Sequence, residues 1–367
     1  MTTHRHERMK PLSGLRILEF DGLGPVTFAG MMLADLGAEV LRLTRSAAAG
    51  TAVFDEVGGA ILHRGRAAVE VNLKNPVDHA RVLDLIGSAD AVIEGFRPGV
   101  MERLGLGPEA CAARNPRLVF GRITGWGQTG PMAQAVGHDL NYIALSGVLH
   151  AMGEPDRPPR PPLNLVGDYG GGAMLVVVGV LAALLEAKAT GRGRVVDAAM
   201  TDGSALLMSL FFALRARGVW SDQRGGNLLD GGAPFYRCYA CRDGGFVAVG
   251  ALEPRFYAAL IAGLGLSAEA PPQYDMAGWP GLHARFAALF ATRDRDDWAA
   301  HFQETEACVT PVLSLGEARK HPHNQARGTF LDREAVQPAP APRFDSEVAT
   351  PEAATTLSLE QAVALWV

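Results

Sequence analysis

An imidazole and a carboxylate, each beside glycine, are the side chains of this sequence best suited to moving a proton. They are His138 in Gly137-His138-Asp139-Leu140-Asn141-Tyr142 and Asp168 in Leu165-Val166-Gly167-Asp168-Tyr169-Gly170-Gly171-Gly172. Imidazole titrates near neutrality, so His138 can be a base when neutral and an acid when charged. A carboxylate facing it from the other side completes the pair needed to take a proton from one face of a carbon and return it to the other. Residue type alone leaves other readings open: a histidine after glycine also serves as an ordinary loop residue, and an aspartate ahead of a helix as an N-cap. Asp168 precedes a glycine run expected to open a helix at Ala173, where backbone N–H groups and the helix dipole favour negative charge. Asp139 could orient the imidazole, but is read as the cap of a following helix. Tyr142, at i+4 from His138, shares its face if a helix begins there and then lines the same pocket.

Such groups need a scaffold, and the first half of the chain alternates strand and helix. Strands are expected at 15–20, 39–44, 91–94, 118–124 and 194–199, with helices at 26–36, 76–86 and 173–187. This alternation predicts an α/β fold with a doubly wound parallel sheet, whose ligands bind at the carboxyl ends of the strands. A helix over 203–217 leads to a hairpin around Asp243-Gly244, helices near 253–263 and 283–290, and an extended Pro/Ala connector at 337–342. The expected organisation is a tail at 1–10, a large domain at 11–200, a linker at 201–225, a smaller α+β domain at 226–330 and a return to the large domain at 331–367.

A nicotinamide-binding turn at Gly22-Leu23-Gly24 fails because the third glycine of that fingerprint would fall at Thr27, and the second strand ends at Arg45 instead of an acid. Arginines recur near predicted strand ends instead: Arg45, then Arg64 and Arg66 in Leu62-His63-Arg64-Gly65-Arg66, then Arg97. Guanidinium forks suit phosphate oxygens.

At 367 residues, 48% hydrophobic and 20% charged, the chain is long enough for two domains and has the composition of a folded enzyme. A net charge of −5 argues against nucleic-acid partners and makes any phosphate recognition local. The longest apolar stretch, 173–185, is shorter than the roughly 20 residues a bilayer requires, so no membrane partner is expected. Residues 1–8 lack the apolar core of a signal peptide, and Leu365-Trp366-Val367 is no peroxisomal tripeptide, so a cytoplasmic location is expected. Cys238-x-x-Cys241 falls within a predicted strand, where residues three apart face opposite sides. No metal site is expected, since no second Cys or His pair stands at zinc spacing.

These segments also carry a resemblance. With Pro11-Leu12-Ser13-Gly14-Leu15-Arg16, Met31-Met32-Leu33-Ala34-Asp35-Leu36-Gly37-Ala38, Asp230-Gly231-Gly232-Ala233-Pro234-Phe235-Tyr236 and Glu253-Pro254, the chain over 11–343 resembles the α-methylacyl-CoA racemases, a branch of the class III CoA-transferase family. The resemblance implies a Rossmann-like large domain in an interlocked homodimer that epimerises 2-methylacyl-CoA thioesters. It makes His138 and Asp168 the acid/base pair, and brings Glu253 to the site from the partner's small domain. Coenzyme A is then part of the substrate, with no separate cofactor; Arg45, Leu62, His63, Arg64, Gly65, Arg66, Arg97, Gly137, Asp139 and Tyr142 are expected to bind it. The alternative is CoA transfer, with Asp168 attacking the thioester as nucleophile.

Overall fold

Successive residues of the early strands are apolar on both faces, which commits those strands to a sheet covered on both sides. Ile17, Val40, Ala91, Ile93 and Val119 enter one buried cluster, while Leu18, Leu41, Val92 and Phe120 enter another. The computed structural model describes residues 9–22, 24–45, 58–267 and 271–367. Residues 1–8 of the expected tail, and Leu23 of the Gly22-Leu23-Gly24 turn, lie outside the described residues.

Strands β1 (Arg16–Phe20), β2 (Glu39–Thr44), β3 (Arg66–Glu70), β4 (Ala91–Glu94), β5 (Val119–Thr124) and β6 (Val195–Ala199) alternate with α1 (Pro25–Asp35), α2 (Pro76–Ser88), α3 (Asp139–Leu145), α4 (Leu175–Thr190) and α5 (Met200–Leu207). Beyond them come α6 (Ser209–Ala216), β7 (Tyr236–Ala240), β8 (Phe246–Gly250), α7 (Pro254–Gly263), α8 (Trp279–Phe290), α9 (Arg295–Phe302), β9 (Val309–Val312), β10 (Phe330–Asp332), β11 (Val336–Pro338), β12 (Thr355–Leu357) and α10 (Leu359–Trp366). The main sheet has the order β12-β3-β2-β1-β4-β5-β6 with every pairing parallel. Helices α1 and α4 cover one face, α2 and α10 the other. This is the doubly wound Rossmann-like arrangement, with its switch point between β1 and β4.

The chain forms two compact units, one comprising Met1–Ser146, Pro162–Leu207 and His323–Val367, the other Gly147–Pro161 and Met208–Pro322. The boundaries differ from the expected ones. Residues 147–161, expected in the large domain, belong to the second unit, because the Arg224 guanidinium donates to the carbonyls of His150, Glu154 and Arg157 at 3.0, 3.0 and 2.7 Å. The expected linker contains α5 and α6, and β11, at the start of the expected connector, pairs antiparallel with β10. In the second unit, β7, β8 and β9 form an antiparallel sheet around a core of Phe235, Tyr239, Phe286, Phe290 and Trp298. Cys238 is exposed on β7, while Cys241 is buried just beyond the end of that strand, which stops at Ala240 instead of continuing through Cys241 as expected.

The largest departure is the glycine run. Leu165–Met174 forms a π-helix continuous with α4, so Asp168 lies inside the first turn instead of ahead of it. Glycine permits this: a Cβ at Gly203 of α5 would fall 2.0 Å from the Gly171 carbonyl oxygen, so the helices meet backbone to backbone. The combined helix of 26 residues is long and apolar enough to cross a membrane by length and composition, unlike the shorter stretch expected. Here it packs on the sheet, with Val176 and Val180 against Gly121 of β5.

Candidate active site

The turns after β1 and β4 flank the switch point, where a parallel sheet opens a crevice. His138 is the N-cap of α3 in extended conformation, φ −133° and ψ 175°, and its N–H donates to Asn141 Oδ1 at 3.0 Å. Its side chain is exposed. Tyr142 shapes the approach: its hydroxyl donates to the Gly137 carbonyl, and its ring stands edge-on to Trp126 at 4.8 Å. Cβ atoms at Gly125 and Gly137 would fall 2.0 and 2.8 Å from that ring. Tyr142 is therefore a buried wedge supporting the His138 turn, and less a pocket wall than its i+4 spacing implied.

Asp168 is half-buried. Asn164 Nδ2 donates to its Oδ2 at 3.3 Å, and its own N–H donates to Asp139 Oδ1 at 2.7 Å. Burial above all, together with the Asp139 charge, lifts the Asp168 carboxyl to about 6, against the opposing pulls of Asn164 and His138. Burial also raises the Tyr142 hydroxyl, with Asp168 and Asp139 adding to the effect and Arg97 opposing it. His138, Asp139, Tyr142, Asp168 and Arg97 thus lie within one electrostatic neighbourhood. Asp139 is not the cap of α3, a position His138 occupies. Its buried carboxylate serves the Asp168 backbone instead.

The arginines divide. Arg45 follows β2 directly and Arg97 follows β4; both are exposed, and Arg45 lies 5.5 Å over the ring of Phe96. Arg64 and Arg66 are not at that edge. Arg66 opens β3 opposite Val40, near the start of β2, so it stands at the amino end of the sheet. Its guanidinium is spent on Glu19 and the Leu62 carbonyl, while that of Arg64 engages Asp35, Gln337 and the Pro338 carbonyl. Neither is free to grip phosphate. Gly65 takes the left-handed turn between them at φ +69°, and half-buried His63 accepts through Nε2 from the Arg42 guanidinium at 3.1 Å. Sequence reading missed Lys74, which is exposed just beyond the carboxyl end of β3, where Val71 N–H still donates to Thr44 O at 2.9 Å. Recognising β3 as a strand would have found it.

Glu253, in the second unit, is the exposed N-cap of α7.

The model of CoA-transferase family III matches residues 12–358 of this chain. The chain belongs to that family. Among family III relatives it is 44% identical over 345 residues to the α-methylacyl-CoA racemase of Mus musculus, covering 93% of this chain and 88% of that protein. It is 43% identical over 343 residues to the racemase of Homo sapiens, with the same coverage. An acetyl-CoA:oxalate CoA-transferase of Acetobacter aceti is 30% identical over 338 residues, covering 88% of this chain and 85% of that one. The family III fold is matched by a solved CAIB/BAIF protein from Brucella suis, with a TM-score of 0.81, 23% identity, and coverage of 98% of this chain and 99% of that one.

Proposed function

We propose that this protein interconverts (2R)- and (2S)-2-methylacyl-CoA thioesters by removing the C2 proton on one face and returning it on the other. The observation that carries this reading is the placing of His138, at the start of α3, beside an Asp168 whose backbone is bound to the same helix and whose carboxyl is lifted to about 6, where it can give or take a proton. In one direction neutral His138 takes the proton and protonated Asp168 supplies the replacement; in the other the roles reverse. The thioester oxygen carries the intermediate's negative charge, which the N-terminal dipole of the helix starting at Leu165 favours. Coenzyme A enters as part of the substrate, with no further cofactor. Its phosphates are held by Arg45, Lys74 and Arg97, which follow β2, β3 and β4 at the sheet's carboxyl edge, with β1 between β2 and β4.

We place Glu253 in the site of a partner subunit within a homodimer. Exposed apolar side chains on α4, α5 and α6, including Val178, Leu185, Leu206 and Phe212 at 61, 73, 61 and 58% exposure, support such an assembly. The transferase alternative needs Asp168 alone as nucleophile and leaves the nearby His138 imidazole without a role, whereas two-faced proton transfer uses both. The deciding experiment incubates the protein with one epimer of a 2-methylacyl-CoA in deuterated water and no acceptor acid. Deuterium at C2 with the thioester intact is expected. Unlabelled substrate, or transfer of CoA only when a carboxylic acid is added, would overturn the reading.

A further inference from the structure

Asp139 stands at the first position of α3, immediately after His138, and is 8% exposed. Its Oδ1 accepts the Asp168 N–H at 2.7 Å, and its Oδ2 is buried without a hydrogen-bond partner among the described residues. The Asp168 N–H lies in the first turn of the π-helix, among the donors that a helix start leaves without an intrahelical acceptor. The approach is close by construction, because a Cβ on Gly167 would fall 2.5 Å from Asp139 Oδ1. A buried carboxylate left half-satisfied is costly, and asparagine could accept the same N–H without burying a charge.

We infer that Asp139 is a positioning residue: from the helix that presents His138, its carboxylate holds the backbone of Asp168, so that one hydrogen bond registers the two proton-transferring side chains against each other. The inference rests on the racemase reading in treating Asp168 as a proton carrier. Asp139 acts through Asp168 and touches no reacting atom. The groups facing Asp168 are Asn164 from its own helix start, His138, Asp139 and Tyr142 from α3, and the backbone of Gly24 beside α1, with Arg97 beyond Tyr142. Of these, Asp139 supplies the negative charge that helps keep the Asp168 proton on, in addition to its mechanical hold.

The test uses the full chain and two variants, Asp139→Ala and Asp139→Asn, with two measurements. One is hydrogen exchange of the Asp168 amide, which needs no substrate; the other is the pH dependence of kcat and KM for 2-methylacyl-CoA epimerisation. In Asp139→Ala the amide should exchange at least about tenfold faster, and kcat should fall by roughly 10²-fold, the scale of an ångström-sized misplacement, with KM little changed. Asp139→Asn should keep the amide protected and recover most of kcat, while the limb belonging to Asp168 moves to lower pH because a repelling charge is gone. If both variants leave amide exchange and kcat within about threefold of wild type, or if KM rises while the amide stays protected, the inference is overturned. Should Asp139→Ala not fold, an unmoved pH limb in Asp139→Asn overturns it alone. An amide whose protection depends on Asp139, in a protein that exchanges no deuterium at C2, would support the registration and overturn the racemase reading.

Discussion

The Arg66 guanidinium donates to both carboxylate oxygens of Glu19, at 2.7 and 2.6 Å, and neither side chain reaches solvent. Helix α1 crosses directly above them, where a Cβ at Gly30 would fall 1.9 Å from Glu19 Oε2. The pair sits beneath a helix, inside the sheet domain, where removing one partner strands the other's charge. Arg66→Ala should therefore lower stability by about 3–5 kcal/mol. Replacing both residues by apolar side chains of similar volume should restore most of it. Urea denaturation of the two variants checks both expectations.

The exposed cations at the carboxyl edge should behave differently. Arg45→Ala, Lys74→Ala and Arg97→Ala should each raise KM for the acyl-CoA far more than they lower kcat, since phosphate contacts are equally strong in ground and transition states. Denaturation midpoints should hardly move, and added salt should weaken wild-type binding more than that of the variants. Arg64→Ala should show the reverse pattern, losing stability because Asp35, Gln337 and the Pro338 carbonyl lose their shared donor. Steady-state kinetics of the four variants at two ionic strengths would separate the groups.

Activity should report the Asp168 carboxyl. In the direction where Asp168 is the base it must be ionised, so the acid limb of kcat/KM should rise with pH through about 6. His138→Ala and Asp168→Ala should each reduce deuterium incorporation at C2 by roughly 10²-fold or more. A pH–rate profile whose acid limb falls near the ordinary carboxylate value of 3.8 would contradict the burial of Asp168.

Acid sensitivity has a separate source in His63. Burial first, then the charges of Arg42 and Arg66, lower its pKa from 6.5 to about 4. The folded state prefers neutral His63, so this contribution is fully present above pH 6.5 and is lost as pH falls toward 4. Asp168 has the opposite sign: its raised pKa contributes stability below 3.8 that is lost as pH rises through about 6. His63→Gln, which can still accept from Arg42, should flatten the decline of stability between pH 6.5 and 4 in denaturation series.

Sharing of the site between subunits is tested by complementation. Inactive His138→Ala and Glu253→Ala proteins, mixed under conditions that exchange subunits, should regain part of the wild-type rate, since one of the two sites in a mixed dimer would be intact. Verified exchange with no recovered racemisation would assign Glu253 another role.

Local patterning made much of this protein readable. Strands β1, β2, β4, β5 and β6 carry enough alternating or continuous apolar residues to be placed to within a residue, and α1 and α2 are bounded by proline starts at Pro25 and Pro76. Strand β3 escaped because Arg66-Ala67-Ala68-Val69-Glu70 is polar at both ends and weakly apolar between, and Lys74 was missed with it. The π-helix escaped because Gly170-Gly171-Gly172 reads as a loop. Its glycines serve a contact with α5 about 30 residues away, and no local window contains that partner.

His138 and Asp168 could be singled out before any fold was known, because proton transfer depends on what a side chain is. Which arginines are available depends on what each one meets. Arg64 and Arg66 look like Arg45 and Arg97 in the chain, yet Asp35, Gln337 and Glu19, brought in from 29, 273 and 47 residues away, turn them inward. Likewise, Asp139 looks like a helix cap until the Asp168 N–H arrives from 29 residues along the chain. A buried charge takes its role from its partner, and here folding alone brings the partners together.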